Sequence, residues 1–307
     1  MSIPDFTGNR ESLLQSLRQG DVHLLARCIS LIENETNGYA EFLETLSTDH
    51  PCSVIGVTGP PGSGKSTLVD RLIGEYTKPG KRIAVLCVDP SSPFHSGALL
   101  GDRIRMREWY NHPSVFIRSL ATRGSLGGLH PKIIELTDLL RAAAFDFIII
   151  ETVGVGQSEV EIAGLADTTV VVLVPEAGDE IQTMKAGLME IADIFVVNKC
   201  DRPDADRFTQ YLQSIIEFSA DHKEIPVIKT VAIENKGVDK LSEEILQSVQ
   251  TRNTIDRINS LAEKAYQLIV QKRMKSVNKK ELIRQIRQQM HQPGFNLYKF
   301  IAANYSG

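Results

Sequence analysis

The alternation of apolar and polar positions changes character twice along the chain. Over the first fifty residues apolar side chains recur at helical spacing: Leu13, Leu14 and Leu17, then Leu24, Leu25, Cys28, Ile29 and Ile32, then Phe42, Leu43 and Leu46. This predicts an N-terminal helical segment over 1–50. From Cys52 onward, short continuous apolar runs at 54–58, 83–89, 115–119, 147–151, 169–175, 194–198 and 227–231 are separated mostly by amphipathic stretches. Continuous rather than alternating apolar strands imply a sheet covered on both faces, and helical stretches between them require parallel crossovers. Residues 51–252 are therefore expected to form a doubly wound α/β domain around a mostly parallel sheet. Beyond about residue 253 the strand signal stops. Ile258, Leu261, Ala265, Leu268 and Ile269 make one helical stripe, and Leu282, Ile283, Ile286 and Met290 make a second before Pro293-Gly294. The C-terminal segment 253–307 must bury these stripes, either on the α/β core or on another copy of itself.

Composition narrows the class without naming a chemistry. A chain of 307 residues with 42% hydrophobic and 23% charged residues is ordinary for a globule. The apolar run around 169–174 is far too short to span a bilayer, and the opening Met-Ser-Ile-Pro-Asp lacks a secretion pattern, so no membrane association and a cytoplasmic location are expected. Cys28, Cys52, Cys87 and Cys200 are scattered without CxxC spacing, which favours buried thiols over disulfides or zinc. The seven histidines are dispersed too, unlike a His-rich metal-delivery tract. Net charge is −4, yet residues 252–307 hold eleven Lys/Arg and three Asp/Glu, leaving this tail at +8 and the remainder at −12. A solvated helix face explains that bias more simply than a dedicated basic docking surface. A pI near 6.0 and the lack of a recognisable motif argue against nucleic acid as a partner.

Chemistry enters at Gly59–Ser66, which reads GPPGSGKS between the apolar run ending at Thr58 and the helix-like stretch from Thr67. A strand, a glycine-rich turn and a helix in that order aim backbone N–H groups and the positive helix end at one point, where polyphosphate sits. Gly59, Gly62, Ser63 and Gly64 form the wrap, Lys65 reaches the outer phosphates, and Ser66 and Thr67 open the helix, with the Ser66 hydroxyl suited to Mg²⁺. The second element is Asn198-Lys199-Cys200-Asp201, at the end of an apolar strand about 130 residues later. Guanine offers N1–H and N2–H₂ on one edge, which a carboxylate accepts together, whereas adenine would leave Asp201 unpaired. Asn198 is expected to face the N7/O6 side of the base and Lys199 to lie over its plane.

Further carboxylates gather on the same rim. Glu151 ends the run 147–151, and Gly154 follows three residues later, an arrangement suited to an outer-shell magnesium group and a γ-phosphate sensor. In small Ras-like GTPases a glutamine follows that glycine and orients the attacking water; here the residue is Val155 and the first glutamine is Gln157, so unaided hydrolysis is expected to be slow. Asp89 ends the run 83–89 before Pro90-Ser91-Ser92, and Asp102 stands among Arg103, Arg105 and Arg107 in what reads as a switch segment. A glycine-rich loop, Arg123-Gly-Ser-Leu-Gly-Gly128, precedes the expected helix over 131–144.

GPPGSGKS, DPSS, GDRIRM, ATRGSLGGL, ETVGVGQSE, GDEIQTMKAG and NKCD, in this order and spacing, resemble the methylmalonyl-CoA mutase-associated GTPases, the MeaB/ArgK family of the SIMIBI class. The resemblance covers roughly residues 10–250 and, more loosely, the tail. It implies a P-loop GTPase domain with N-terminal and C-terminal helical extensions, dimerising through the latter. It also implies a GTP-hydrolysing metallochaperone that gates adenosylcobalamin loading of a cobalamin-dependent acyl-CoA mutase and protects that partner. Carried onto this chain, it gives Lys65, Asp102, Glu151 and Gln157 as catalytic candidates. Ser66, Asp89, Asp102 and Glu151 become the magnesium-linked set, and Asn198, Lys199 and Asp201, with Val231 and Ala232, the guanine-binding set. Asp179, Gln182 and Lys185 correspond to a segment that reports nucleotide state to the mutase. Val231 departs from the family pattern, standing where serine is common, so hydroxyl support for the base loop is expected to be missing. No Asp-x-His-x-x-Gly pattern offers a histidine to cobalt, so the cobalamin should belong to the partner. Alternatives are an ATP-dependent kinase or ATPase linked to amino-acid transport, opposed by Asn198 and Asp201, and a nucleotide-binding scaffold without catalysis. Pro60 occupies the position of a signature lysine found in dimeric ATPases, which counts against that class.

Overall fold

The structure is a computed structural model of the 307-residue chain, and it describes residues 10–47, 50–89, 106–122, 129–152, 158–177, 187–217, 224–291 and 294–305. Among the described residues three short helices come first: α1 (Arg10–Arg18), α2 (Val22–Glu33) and α3 (Tyr39–Leu43). The Asp21 carboxylate caps α2 by accepting the Leu24 N–H at 2.9 Å, and α2 buries Leu25, Cys28, Ile29 and Ile32 on one face.

Seven strands then form one sheet: β1 (Ser53–Thr58), β2 (Ile83–Asp89), β3 (Val115–Ala121), β4 (Phe147–Glu151), β5 (Thr168–Leu173), β6 (Ile194–Val197) and β7 (Val227–Lys229). Their order is β3-β2-β4-β1-β5-β6-β7 and every pairing is parallel. All seven apolar runs are strands. Three end early: β5 stops before the 3₁₀ turn Pro175–Ala177, β6 stops one residue before Asn198, and Thr230 and Val231 leave the ladder to enter a turn at Ala232–Glu234.

The helices between the strands are α4 (Lys65–Thr77), α5 (Ile133–Ala142), α6 (Ser158–Leu165), α7 (Gly187–Ile191), α8 (Ala205–Glu217) and α9 (Val238–Thr251). Strand periodicity divides them between two faces. Val170, Val172, Ile194 and Val196 join Leu68, Leu72 and Ile73 of α4 and Leu241 and Ile245 of α9 in one cluster; Val171, Leu173, Phe195 and Val197 join Phe208, Leu212 and Ile216 of α8 in the other. Each fully buried leucine or isoleucine contributes about 1.5–3 kcal/mol of transfer free energy, which is why the strands carry no polar face. At the amino end of β5, Asp167 ties three segments. It accepts the Val54 N–H at 2.8 Å, Arg141 at 3.1 Å and Arg252 at 2.6 Å.

The chain divides into two compact units, Met1–Arg257 and Ile258–Gly307. The second contains most of α10 (Thr254–Met274), then α11 (Lys279–Gln289) and α12 (Leu297–Tyr305). Asn278 caps α11 through the N–H groups of Lys280 and Glu281, Tyr305 donates to Gln285 at 3.0 Å, and Phe300 is buried. Neither α10 nor α11 has a buried residue: Ile258, Leu261, Tyr266, Ile269, Met274, Ile283 and Met290 are all at least half exposed. Among the described residues no helix is long and apolar enough to cross a membrane.

Candidate nucleotide-binding site

The carboxyl ends of β1, β4 and β6 meet at one rim, the place where open α/β sheets bind ligands. β1 stops at Thr58, whose hydroxyl is 2.7 Å from that of Thr152, and the Thr152 N–H donates to the Val57 carbonyl at 3.0 Å. The chain then turns through Gly59 (φ 135°), Gly62 (φ 77°) and Gly64 (φ 92°) into α4. These angles suit glycine, and two positions have no room for a side chain. A Cβ on Gly59 would lie 2.1 Å from the Val172 carbonyl oxygen, and one on Gly64 would lie 2.3 Å from Asn198 Nδ2.

On the phosphate side, Lys65 and Ser66 are buried at the first turn of α4. Lys65 Nζ donates to the carbonyls of Gly59 at 2.8 Å and Pro60 at 3.0 Å, so the ammonium is held inside the loop it closes. The Ser66 hydroxyl donates to Glu151 Oε1 at 2.6 Å. Glu151 is 6% exposed and lies opposite Val57 of β1 and Cys87 of β2 in the sheet register. Ser63 is fully buried, and its hydroxyl makes no hydrogen bond among the described residues. Thr67 follows, half-buried.

On the base side, Asn198 is 2% exposed and makes three hydrogen bonds to protein. Its Nδ2 donates to the Ser63 carbonyl at 2.9 Å; its Oδ1 accepts the Thr230 hydroxyl at 3.0 Å and the Ala232 N–H at 3.1 Å. Asn198, expected to face the N7/O6 side of the base, is also a strut between the phosphate loop and the base loop. Lys199, in the left-handed region at φ 60°, donates from Nζ to the Gly62 carbonyl at 2.7 Å. Asp201 is exposed at the start of the following turn. Val231 precedes the Ala232–Glu234 turn, and its N–H donates to the Lys236 carbonyl at 3.0 Å. Val231 brings no hydroxyl to the base loop, and Thr230 one residue earlier does; a hydroxyl directly after a strand and two residues before Ala232 is its signal in the sequence.

Arg202, next to Asp201, pairs with Glu176, and that hydrogen bond holds the Glu176 carboxyl below the usual carboxylate range. Asp89 ends β2 on the same rim, though its side chain lies outside the described residues. Asp102, Gln157, Asp179, Gln182 and Lys185 lie outside them altogether. Arg118 belongs to β3 and donates to Glu33 of α2 at 2.6 Å.

The residues present fit a nucleoside triphosphate with magnesium. A cradle that two Cβ atoms would fill, a buried ammonium and an unsatisfied buried hydroxyl at Ser63 suit phosphate oxygens. The Ser66 and Glu151 oxygens form the hard-donor set that Mg²⁺ takes alongside substrate phosphates. Among the described residues no group of three or more His, Cys, Asp or Glu is assembled, as a transition-metal site would require.

The family model described as "Methylmalonyl Co-A mutase-associated GTPase MeaB" matches residues 25–291. A GTPase-family protein of Pyrococcus abyssi is 45% identical over 263 residues, spanning 83% of this chain and 79% of its own. The GTPase ArgK of Escherichia coli is 35% identical over 243 residues, 74% and 72% of the two chains. A fused isobutyryl-CoA mutase of Geobacillus kaustophilus is 38% identical over 235 residues, 71% of this chain but 22% of that one. Among solved structures, one titled as an LAO/AO transport system kinase superposes with a TM-score of 0.69 at 24% identity over 95% and 96% of the chains, a likeness of fold. With a family match over most of its length and GTPase relatives well above 30% identity, the chain belongs to the MeaB family of methylmalonyl-CoA mutase-associated GTPases, and it binds and hydrolyses GTP.

Proposed function

We propose that this GTPase is a metallochaperone that gates adenosylcobalamin loading of a cobalamin-dependent acyl-CoA mutase and protects the loaded enzyme. The observation that carries the reading is the Geobacillus relative, in which a segment 38% identical to this chain is part of a single polypeptide named for an acyl-CoA mutase. Fusion raises the effective concentration of two modules that act together, and separate chains must find the same partner by docking.

In this reading Lys65 leaves the Gly59 and Pro60 carbonyls to meet the outer phosphates, and the Ser63 hydroxyl gains a phosphate acceptor. Ser66 and Glu151 hold Mg²⁺, which when bound neutralises charge on the transferring phosphoryl group. Asp201 accepts the guanine N1–H and N2–H₂, while Asn198 keeps base loop and phosphate loop in register. With Val155 following Gly154, unaided turnover is slow, and the mutase supplies the stimulus through the segment bearing Asp179, Gln182 and Lys185. The exposed stripes of α10 and α11 support a homodimer formed by the C-terminal helices. The setting is the cytoplasm, supported by four cysteines that are all free thiols.

Phosphate release from GTP and from ATP, each with and without a cobalamin-dependent acyl-CoA mutase, tests the reading. GTP should turn over in preference to ATP, and the mutase should accelerate it. Faster ATP turnover would sink the base assignment, and a rate indifferent to every such mutase would sink the partnership.

A further inference from the structure

We propose that Asp70 and Trp109 are positioning residues for GTP hydrolysis, acting by pinning the 106–112 segment to the phosphate-loop helix. The inference rests on the GTPase activity and not on the mutase partnership. Ser66 and Asp70 are four residues apart on α4, so they share one face about 6 Å apart along the axis. Ser66 donates to Glu151, and one turn later the buried Asp70 accepts the Trp109 indole N–H at 2.9 Å. Met106, where the described chain resumes, is fully buried in the cluster that α4 shares with the sheet, and Trp109 packs on that cluster too. A further turn along α4, Gly74 faces the same indole; a methyl there would lie 3.7 Å from the ring. The segment therefore meets α4 through a buried anchor, a charge-assisted hydrogen bond and a ring contact.

The neighbouring residue reaches the other half of the site. Arg71 Nη1 stands 3.9 Å from Asp70 Oδ2, and Arg71 Nε donates to the Ala232 carbonyl at 3.3 Å. Ala232 is the residue whose N–H binds Asn198. Adjacent residues of one helix thus hold the base loop on one side and the 106–112 segment on the other. A buried carboxylate is costly to desolvate where an apolar residue would pack, which points to directional placement rather than core stability. The pinned segment begins at Met106, the last residue of the sequence motif that contains Asp102.

Trp109 is the chain's single tryptophan, so its emission reads this contact directly. The experiment uses the full chain and its Asp70→Ala, Asp70→Asn and Trp109→Phe variants. It measures emission on adding GDP with Mg²⁺, together with kcat and KM for GTP. Nucleotide should shift the parent emission. Asp70→Ala should lose the shift and about fivefold in kcat with KM within about twofold, the size expected for one hydrogen bond that strengthens in the transition state. Asp70→Asn keeps an acceptor for the indole and should recover most of both; Trp109→Phe keeps the ring, loses the donor and should show the same kcat loss, which covers an Asp70→Ala protein that fails to fold. Parent emission unmoved by nucleotide overturns the proposal. So do unchanged kcat in Asp70→Ala or Trp109→Phe and equal losses in the alanine and asparagine variants.

Discussion

Helices α4 and α10 are both amphipathic, yet they face opposite fates. α4 buries eight of its thirteen residues, including Leu68, Val69, Leu72 and Ile73, against the sheet and α9. α10 runs for twenty-one residues and buries none, leaving Leu261 65% exposed where Leu72 is 0% exposed. The same side chain is therefore spent inside the chain in one place and left available in the other. Around α4 a rigid neighbourhood is what phosphate chemistry needs, since pre-aimed groups cost no reorganisation during reaction. Around α10, a series of exposed apolar residues is the surface that the proposed homodimer would cover.

The sharpest contrast is in turnover. Lys65→Ala removes the buried cation that closes the phosphate loop and should lower kcat for GTP by about 100-fold or more, read by phosphate release. No alanine substitution on the exposed stripe of α10 should approach that. In stability, Leu72→Ala should cost about 2–5 kcal/mol and Leu261→Ala within about 0.5 kcal/mol in denaturant unfolding of the monomeric state. Comparable losses would mean that α10 is packed in solution. In assembly, Leu261→Glu should shift the protein from dimer to monomer by light scattering while leaving intrinsic GTP turnover within about twofold. A dimer that survives the charge would erase the contrast.

The smallest effect concerns pH and lies away from both helices. Burial pushes the Asp146 carboxyl up, but the Arg82 N–H and the Lys81 ammonium outweigh it and hold the group below its usual range. Because the folded value is depressed, this stabilisation is present above the unfolded carboxylate pKa and fades as pH falls through the folded one. Replacing Asp146 by Asn should remove a modest share of the decline in Tm between about pH 5 and pH 2, and none near neutrality.

Much of this was legible in the chain because it is local. Each strand announced itself as an apolar run, and Gly59–Ser66 and Asn198–Asp201 stood at strand ends where a rim was expected. The contacts that organise the site were not legible, since each joins residues far apart with no periodicity linking them. Thr230 to Asn198, Trp109 to Asp70 and Arg118 to Glu33 are pairings of this kind. Asn198 shows the limit most clearly: its motif announces a base contact, and only its geometry adds the strut.

The strand order carries a consequence for synthesis. β1 is central, with β4 and β5 as neighbours, yet about ninety residues separate Thr58 from Phe147. At about 5–20 residues per second, an emerging ribosomal chain carries this apolar strand without its final partners for several seconds or more. Arg252, which closes on Asp167, appears later still. The nascent chain thus has its phosphate loop translated early and its sheet completed late, and molecular chaperones have their natural opening in that interval.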